Sequence, residues 1–237
     1  ANHTFSVTGS MGRKGKTTEK SAFDRSSCPP SAKLCAGIND SGSLYAQQGT
    51  DAHALCEYKV EKLLGRNPED PTENLTWFDT EMDDCTDQYA AYVAEQIEEA
   101  KTHCSDPLIL IEEKLDFSKW VPEGFGTGDC IIISDKTMHV IDFKYGQGVL
   151  VEAEQNPQMM LYALGALRLF DSLYDIDEVA MTIYQPRREN ISTWTIAVDD
   201  LKAWAETELV PKARLAYEGK GEYLPGPWCT FCKAAVK

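Results

Sequence analysis

The stretch Asp129-Cys-Ile-Ile-Ile-Ser-Asp-Lys-Thr-Met-His-Val-Ile-Asp-Phe-Lys144 decides the fold. Two short, largely apolar runs enclose the polar turn Ser134-Asp135-Lys136-Thr137, the pattern of a β-hairpin buried on both faces. Pairing Ser134 with Thr137 sets Asp129 opposite Asp142, where side chains stand roughly 5 Å apart on one face. Lys144, two residues after Asp142, projects from the same face, and His139 from the other, so His139 reads as structural. Opposed carboxylates repel each other, which argues against a purely structural role. A hard divalent cation held between them removes the repulsion. Lys144 would then orient a bound water or balance charge on a phosphate. A register slipped by one residue would instead leave these groups as solvated charges at strand ends.

Outward from the hairpin, Leu108–Leu115 reads as a strand and Gln155–Asp171 as an amphipathic helix on which Gln155, Gln158 and Tyr162 share one side. Glu178–Gln185 and Ile191–Val198 read as two further strands around Pro186-Arg187-Arg188. Asp199 is expected to cap a last helix that Pro211 kinks or interrupts, ending near Gly219. Upstream, Leu44–Leu64 and Asp79–Thr102 carry helical periodicity, and a polar, proline-containing loop separates them. The expected order is α-α-β-β-β-α-β-β-α, an α/β core on a mixed sheet. Residues 1–27, rich in Gly, Ser, Thr and Lys, read as a disordered or foreign tail preceding one domain over residues 28–237. On the first long helix, His53 and Glu57 are i, i+4 neighbours, which gives His53 a claim to be a ligand.

Apolar residues make up 43% of the 237-residue chain, which excludes a chain disordered throughout. No apolar run is long enough to span a bilayer and no secretory signal pattern opens the sequence, so a soluble, cytoplasmic protein is expected. A net charge of −15 argues against a surface coated for nucleic acid but leaves room for a local basic groove. Arg187, Arg188, Lys212 and Arg214 are the candidate DNA-contacting charges. Of the eight cysteines, only Cys229-Thr-Phe-Cys232 has the spacing of a metal or cluster pair.

Gly126-Thr-Gly-Asp129, Asp142-Phe-Lys144 and Gln158-Met-Met-Leu-Tyr162, preceded by His53, resemble the motifs of the RecB-like branch of the PD-(D/E)XK nucleases, over about residues 28–237. The wording around them is similar to a phage and prophage group related to CRISPR-associated RecB-like exonucleases. The resemblance implies a restriction-endonuclease-like core, a central mixed sheet flanked by helices. It implies Mg²⁺ or Mn²⁺ held by His53, Asp129, Asp142 and the Phe143 carbonyl, with Glu113 a weaker addition. Lys144 would be the catalytic lysine, Gln158 and Tyr162 would assist, and metal-activated water would attack a DNA phosphodiester, most simply from an end. Partners implied are DNA, a phage recombination or replication protein, and further copies of the chain.

The same family often carries a [4Fe–4S] cluster on one early and three late cysteines. Cys28, Cys229 and Cys232 match three of these; the fourth is missing, so the site is expected to be incomplete unless Cys35 substitutes. Zinc would use the same thiolates. Two other classes of function stand beside the nuclease: a catalytically idle DNA-binding or assembly protein on the same fold, and a hydrolase of small phosphate esters.

Overall fold

A computed structural model describes residues 28–36, 44–170, 172–226, 229 and 232. The tail expected over residues 1–27 lies outside them. Helices α1 (Pro29–Ala36), α2 (Leu44–Leu63) and α3 (Thr80–His103) precede strands β1 (Leu108–Asp116), β2 (Phe125–Ser134) and β3 (Thr137–Phe143). Helix α4 (Pro157–Phe170) then crosses to β4 (Glu178–Gln185), and β5 (Asn190–Ala197) returns beside it. Helix α5 (Val198–Trp204) runs through a π turn at Ala205–Leu209 into α6 (Val210–Glu218). The result is an α/β fold with a five-stranded mixed sheet in the order β1-β2-β3-β4-β5, flanked by helices. Only β3 and β4 are parallel, as their connection through a helix requires.

The hairpin register is the expected one, from Ser134↔Thr137 to Cys130↔Ile141. Alternating residues of its strands feed two cores. Ile131, Ile133, Met138 and Val140 pack with α4, α5 and α6. Cys130, Ile132, Ile141 and Phe143 pack with α2 and α3. This two-sided burial explains why both runs are continuously apolar.

Several boundaries differ from the sequence expectation. Helix α1 had no periodic signal because its eight residues open with two prolines. Strand β2 begins at Phe125, since Phe125–Gly128, too glycine-rich to show a pattern, pairs with the end of β1. Helix α4 begins at Pro157, so Gln155, which has φ 49°, lies before it. The last helical run starts at Val198, with Ala197 as an N-cap that makes no side-chain bond. Asp199 therefore favours the helix from its first turn, by its charge, rather than as a cap. Pro211 sits in the first turn of α6 directly after the π turn, where a missing N–H costs least.

His139 leaves the opposite face of β3 from Asp142 and its Nε2 meets the Thr182 hydroxyl at 2.8 Å. Burial pushes its pKa down to about 4. A folded-state value below the unfolded one means stability is complete above about pH 6.5 and falls as pH drops toward 4. At pH 5 the loss from this group should be about 1–2 kcal/mol. Thermal unfolding of His139→Gln at pH 7 and pH 5 checks this: the variant should lose less on acidification than the wild type. An identical loss in both would show that His139 does not carry the effect.

Candidate functional site

Strand β3 ends at Phe143, whereas β1 and β2 run on beyond it as a two-stranded ribbon. The side chains at this step form the site. Asp129, one residue past the last β2–β3 pair, turns its Oδ2 to accept the backbone N–H of Phe143 at 2.7 Å. Its Oδ1 stands 3.2 Å from His53 Nδ1, brought in by α2. Edge-on contact with the Phe143 ring, 5.5 Å between centroids, holds the imidazole. Asp129 is 8% exposed. Burial pushes its carboxyl up, but the charge and hydrogen bond of His53, the Phe143 N–H and Lys144 outweigh burial and hold it below the usual carboxylate range.

A second acid completes the cluster, and it is one the sequence did not single out. Glu112 Oε1 lies 3.9 Å from His53 Nδ1, and ligand atoms of His53, Glu112 and Asp129 all lie within 4.8 Å of one another. The weaker candidate, Glu113, is outside this group. The β1–β2 register is unchanged on the two sides of Glu112, Ile111 pairing with Cys130 and Glu113 with Gly128. Glu112 thus stands opposite Asp129, and its φ of 50° puts a non-glycine residue in the left-handed region within a strand. Such strain persists where surrounding structure enforces it and gathers at functional sites.

Beside the cluster lies a second group. Lys144 Nζ pairs with Asp142 Oδ2 at 2.7 Å, both nearly buried. Lys144 also donates to Gln158 Oε1 at 3.1 Å, and Gln158 Nε2 donates to the Tyr162 hydroxyl at 2.9 Å. Helix α4 is aimed by its cap: Asn156 Oδ1 accepts from the backbone N–H of Gln158 and Met159. Burial, then the Asp142 charge, pushes the Tyr162 phenol far up, so it stays a proton donor. The structure thus sets His53 beside Asp129, and Lys144 with Asp142, Gln158 and Tyr162; spacing implied the neighbours within the hairpin and within the helix, and the resemblance implied that these groups and His53 meet. The Phe143 carbonyl belongs to the last residue of β3, next to Lys144.

The proposed DNA-contacting cations are placed differently from one another. Lys212 and Arg214 make i, i+4 pairs with Glu208 and Glu218 on the outside of the last helical run. Arg188 donates to the Gln147 carbonyl at 3.4 Å, whereas Arg187 is held by Glu81 across the chain.

Helix α1 packs on α6 and carries Cys35, while Cys28 directly precedes it. Cys35 Sγ lies 3.9 Å from Cys232 Sγ, and Cys229 Sγ accepts the Gly226 N–H. All four are thiols. The structure thus brings Cys35, the weaker candidate, beside Cys232 of the late pair, while no three of these thiols among the described residues lie close enough together to form a metal group.

No helix among the described residues is long and apolar enough to cross a membrane. A family model described as "Protein of unknown function (DUF2800)" matches residues 20–237. A solved structure titled "Crystal structure of SSO0001" is similar over 78% of this chain and 94% of that one, at 15% identity and a TM-score of 0.30.

Proposed function

This chain belongs to the DUF2800 family, and we propose that it is a divalent-metal-dependent DNA nuclease, an exonuclease on the RecB-like PD-(D/E)XK pattern. The observation that carries the reading is the meeting of two groups at the end of β3. One is a nitrogen-and-oxygen ligand cluster, His53, Glu112 and Asp129. The other is a buried ammonium–carboxylate pair, Lys144 and Asp142.

The donor set fits the ion. Glu112 and Asp129 face each other on neighbouring strands, where like charges are unfavourable unless a cation lies between them. Carboxylate oxygens with one imidazole nitrogen suit Mn²⁺ or Mg²⁺, and Asp142 and the Phe143 carbonyl are the further ligands that the resemblance implies. When bound, such an ion polarises a phosphoryl oxygen and acidifies water. The protein's own residues supply the rest. His53 is oriented by the Phe143 ring, Lys144 places a positive charge where a scissile phosphate gains negative charge, and Gln158 with Tyr162 fixes the ammonium in position.

End-labelled linear DNA and closed circular DNA, incubated with Mn²⁺, Mg²⁺ or EDTA, test the reading. Loss of linear DNA only, dependent on metal, is the expected result. Cutting of circles would make the enzyme an endonuclease. A folded protein that binds Mn²⁺ and DNA yet degrades neither would instead be the idle DNA-binding protein on this fold. Hydrolysis of small phosphate esters with DNA left intact would replace the substrate class.

Cys28, Cys35, Cys229 and Cys232, of which Cys35 and Cys232 approach to 3.9 Å, are proposed as the ligands of a second, structural centre. Protein purified without oxygen should show iron, acid-labile sulfide and visible charge-transfer absorption, all lost in Cys35→Ala. Colourless protein with one equivalent of zinc would reassign the centre, and metal-free protein of unchanged stability would remove it.

A further inference from the structure

Arg187 follows β4 in a short 3-10 turn, Pro186–Arg188, and its surroundings are those of an oxyanion site. Its guanidinium lies over the Tyr145 ring, 4.7 Å from the centroid. Nε and Nη2 donate to the two carboxylate oxygens of Glu81 at 3.0 and 2.9 Å. With its amide oxygen turned toward the guanidinium, Gln147 accepts from the same nitrogens at 2.9 and 3.2 Å. A planar fork stacked on an aromatic ring recognises carboxylate and phosphate with the same geometry.

Two further observations separate this from an ordinary surface ion pair. The Arg187 side chain is only 14% exposed while that of Glu81 is 50% exposed, so the arginine is the fixed member and the glutamate the removable one. The Tyr145 hydroxyl, in a residue 3% exposed, has no hydrogen-bond partner among the described residues. Buried hydroxyls are rarely left unmet, so this one, on the ring that the guanidinium stacks against, has a donor to spare for an acceptor that a ligand would bring. Tyr145 directly follows Lys144 in sequence, so the fork adjoins the site at the same end of the sheet.

We propose that Arg187 and Tyr145, with Gln147, form a phosphate-binding fork for the DNA backbone, and that Glu81 fills it until a substrate phosphate displaces the carboxylate. The choice of DNA as the source of that phosphate rests on the nuclease reading. The acidic chain thereby keeps its fork closed to chance anions and opens it to a polyanion that meets several contacts at once.

Anisotropy of a labelled DNA duplex, with Ca²⁺ to support binding and a salt titration for each protein, is the test. Glu81→Gln keeps the shape but removes the competing charge and should tighten binding by about three- to tenfold. Arg187→Gln removes the charge and should weaken binding and flatten the log–log salt slope by about 0.9, the contribution of one phosphate contact. The double variant should behave as Arg187→Gln. Glu81→Ala repeats the first measurement should glutamine retain the contact. Unchanged or weaker binding by both Glu81 variants, with a lowered melting temperature, would reduce the pair to a structural clamp. The two readings fail separately. Wild type that shows this binding pattern but hydrolyses nothing with Mn²⁺ keeps the fork and loses the nuclease. Active enzyme whose affinity ignores Glu81 loses the fork alone, and a chain that binds no DNA loses both.

Discussion

Asp129→Asn is expected to abolish metal-dependent DNA hydrolysis, by at least about a thousandfold, while leaving the folded protein intact. The asparagine oxygen can still accept the Phe143 N–H that Oδ2 accepts now, so the end of β3 keeps its geometry. The lost charge has two opposite effects without metal. His53 loses its closest carboxylate at 3.2 Å, while Glu112 on the neighbouring strand loses a like-charged neighbour. These nearly cancel, and stability without metal should change by no more than about 1 kcal/mol. The difference appears when metal is added. An ion held by the native state alone stabilises it by about 2.7 kcal/mol at a hundred times its Kd. For a chain of this length that is a rise in Tm of about 5–10 °C. Thermal melts with Mn²⁺ should show this rise for the wild type and little or none for Asp129→Asn. An equal rise in both would place the metal elsewhere, and hydrolysis by the variant at wild-type rate would remove Asp129 from the chemistry.

How much of this was legible in the sequence follows from which interactions are local. The hairpin was readable because a four-residue polar turn between apolar runs fixes its register, and the register fixes which faces Asp129, Asp142 and Lys144 share. Gln158 and Tyr162 were readable because i, i+4 spacing on a helix makes them neighbours. Glu112 was not. It adjoins Glu113, and the two strands that decide between them, β1 and β2, are joined by residues 117–124, too long a connection to pin a register. Opposition to Asp129 would have selected it, given any one β1–β2 pair. Helix α1 and the Cys35–Cys232 approach depend on contacts between distant parts of the chain. The Glu81–Arg187 fork joins residues 106 apart, and neither residue type nor spacing announces it.

The same long-range burial makes Lys144 the position with the largest expected cost to stability. Its ammonium is 6% exposed and Asp142 is 3% exposed, so neither charge is well hydrated. Lys144→Met fills the space but leaves a buried carboxylate without its 2.7 Å partner and Gln158 Oε1 without the donor at 3.1 Å. Breaking a buried pair from one side typically costs about 3–5 kcal/mol. Removing both charges costs much less, because no uncompensated ion remains. Asp142→Asn combined with Lys144→Met should therefore recover most of the stability lost by Lys144→Met alone. Activity should recover in neither, since the combination lacks both the ammonium and the carboxylate. Mn²⁺ should stabilise Lys144→Met more than the double variant: both keep the His53, Glu112 and Asp129 ligands, but only Lys144→Met has an unpaired Asp142 carboxylate for the ion's charge to offset. Denaturant melts of the wild type, Lys144→Met, Asp142→Asn and the double variant, with and without Mn²⁺, read these differences directly. Additive losses in the double variant would show that the two groups are held apart in solution. Recovery of activity without Lys144 would mean that the lysine only balances Asp142 and takes no part in hydrolysis.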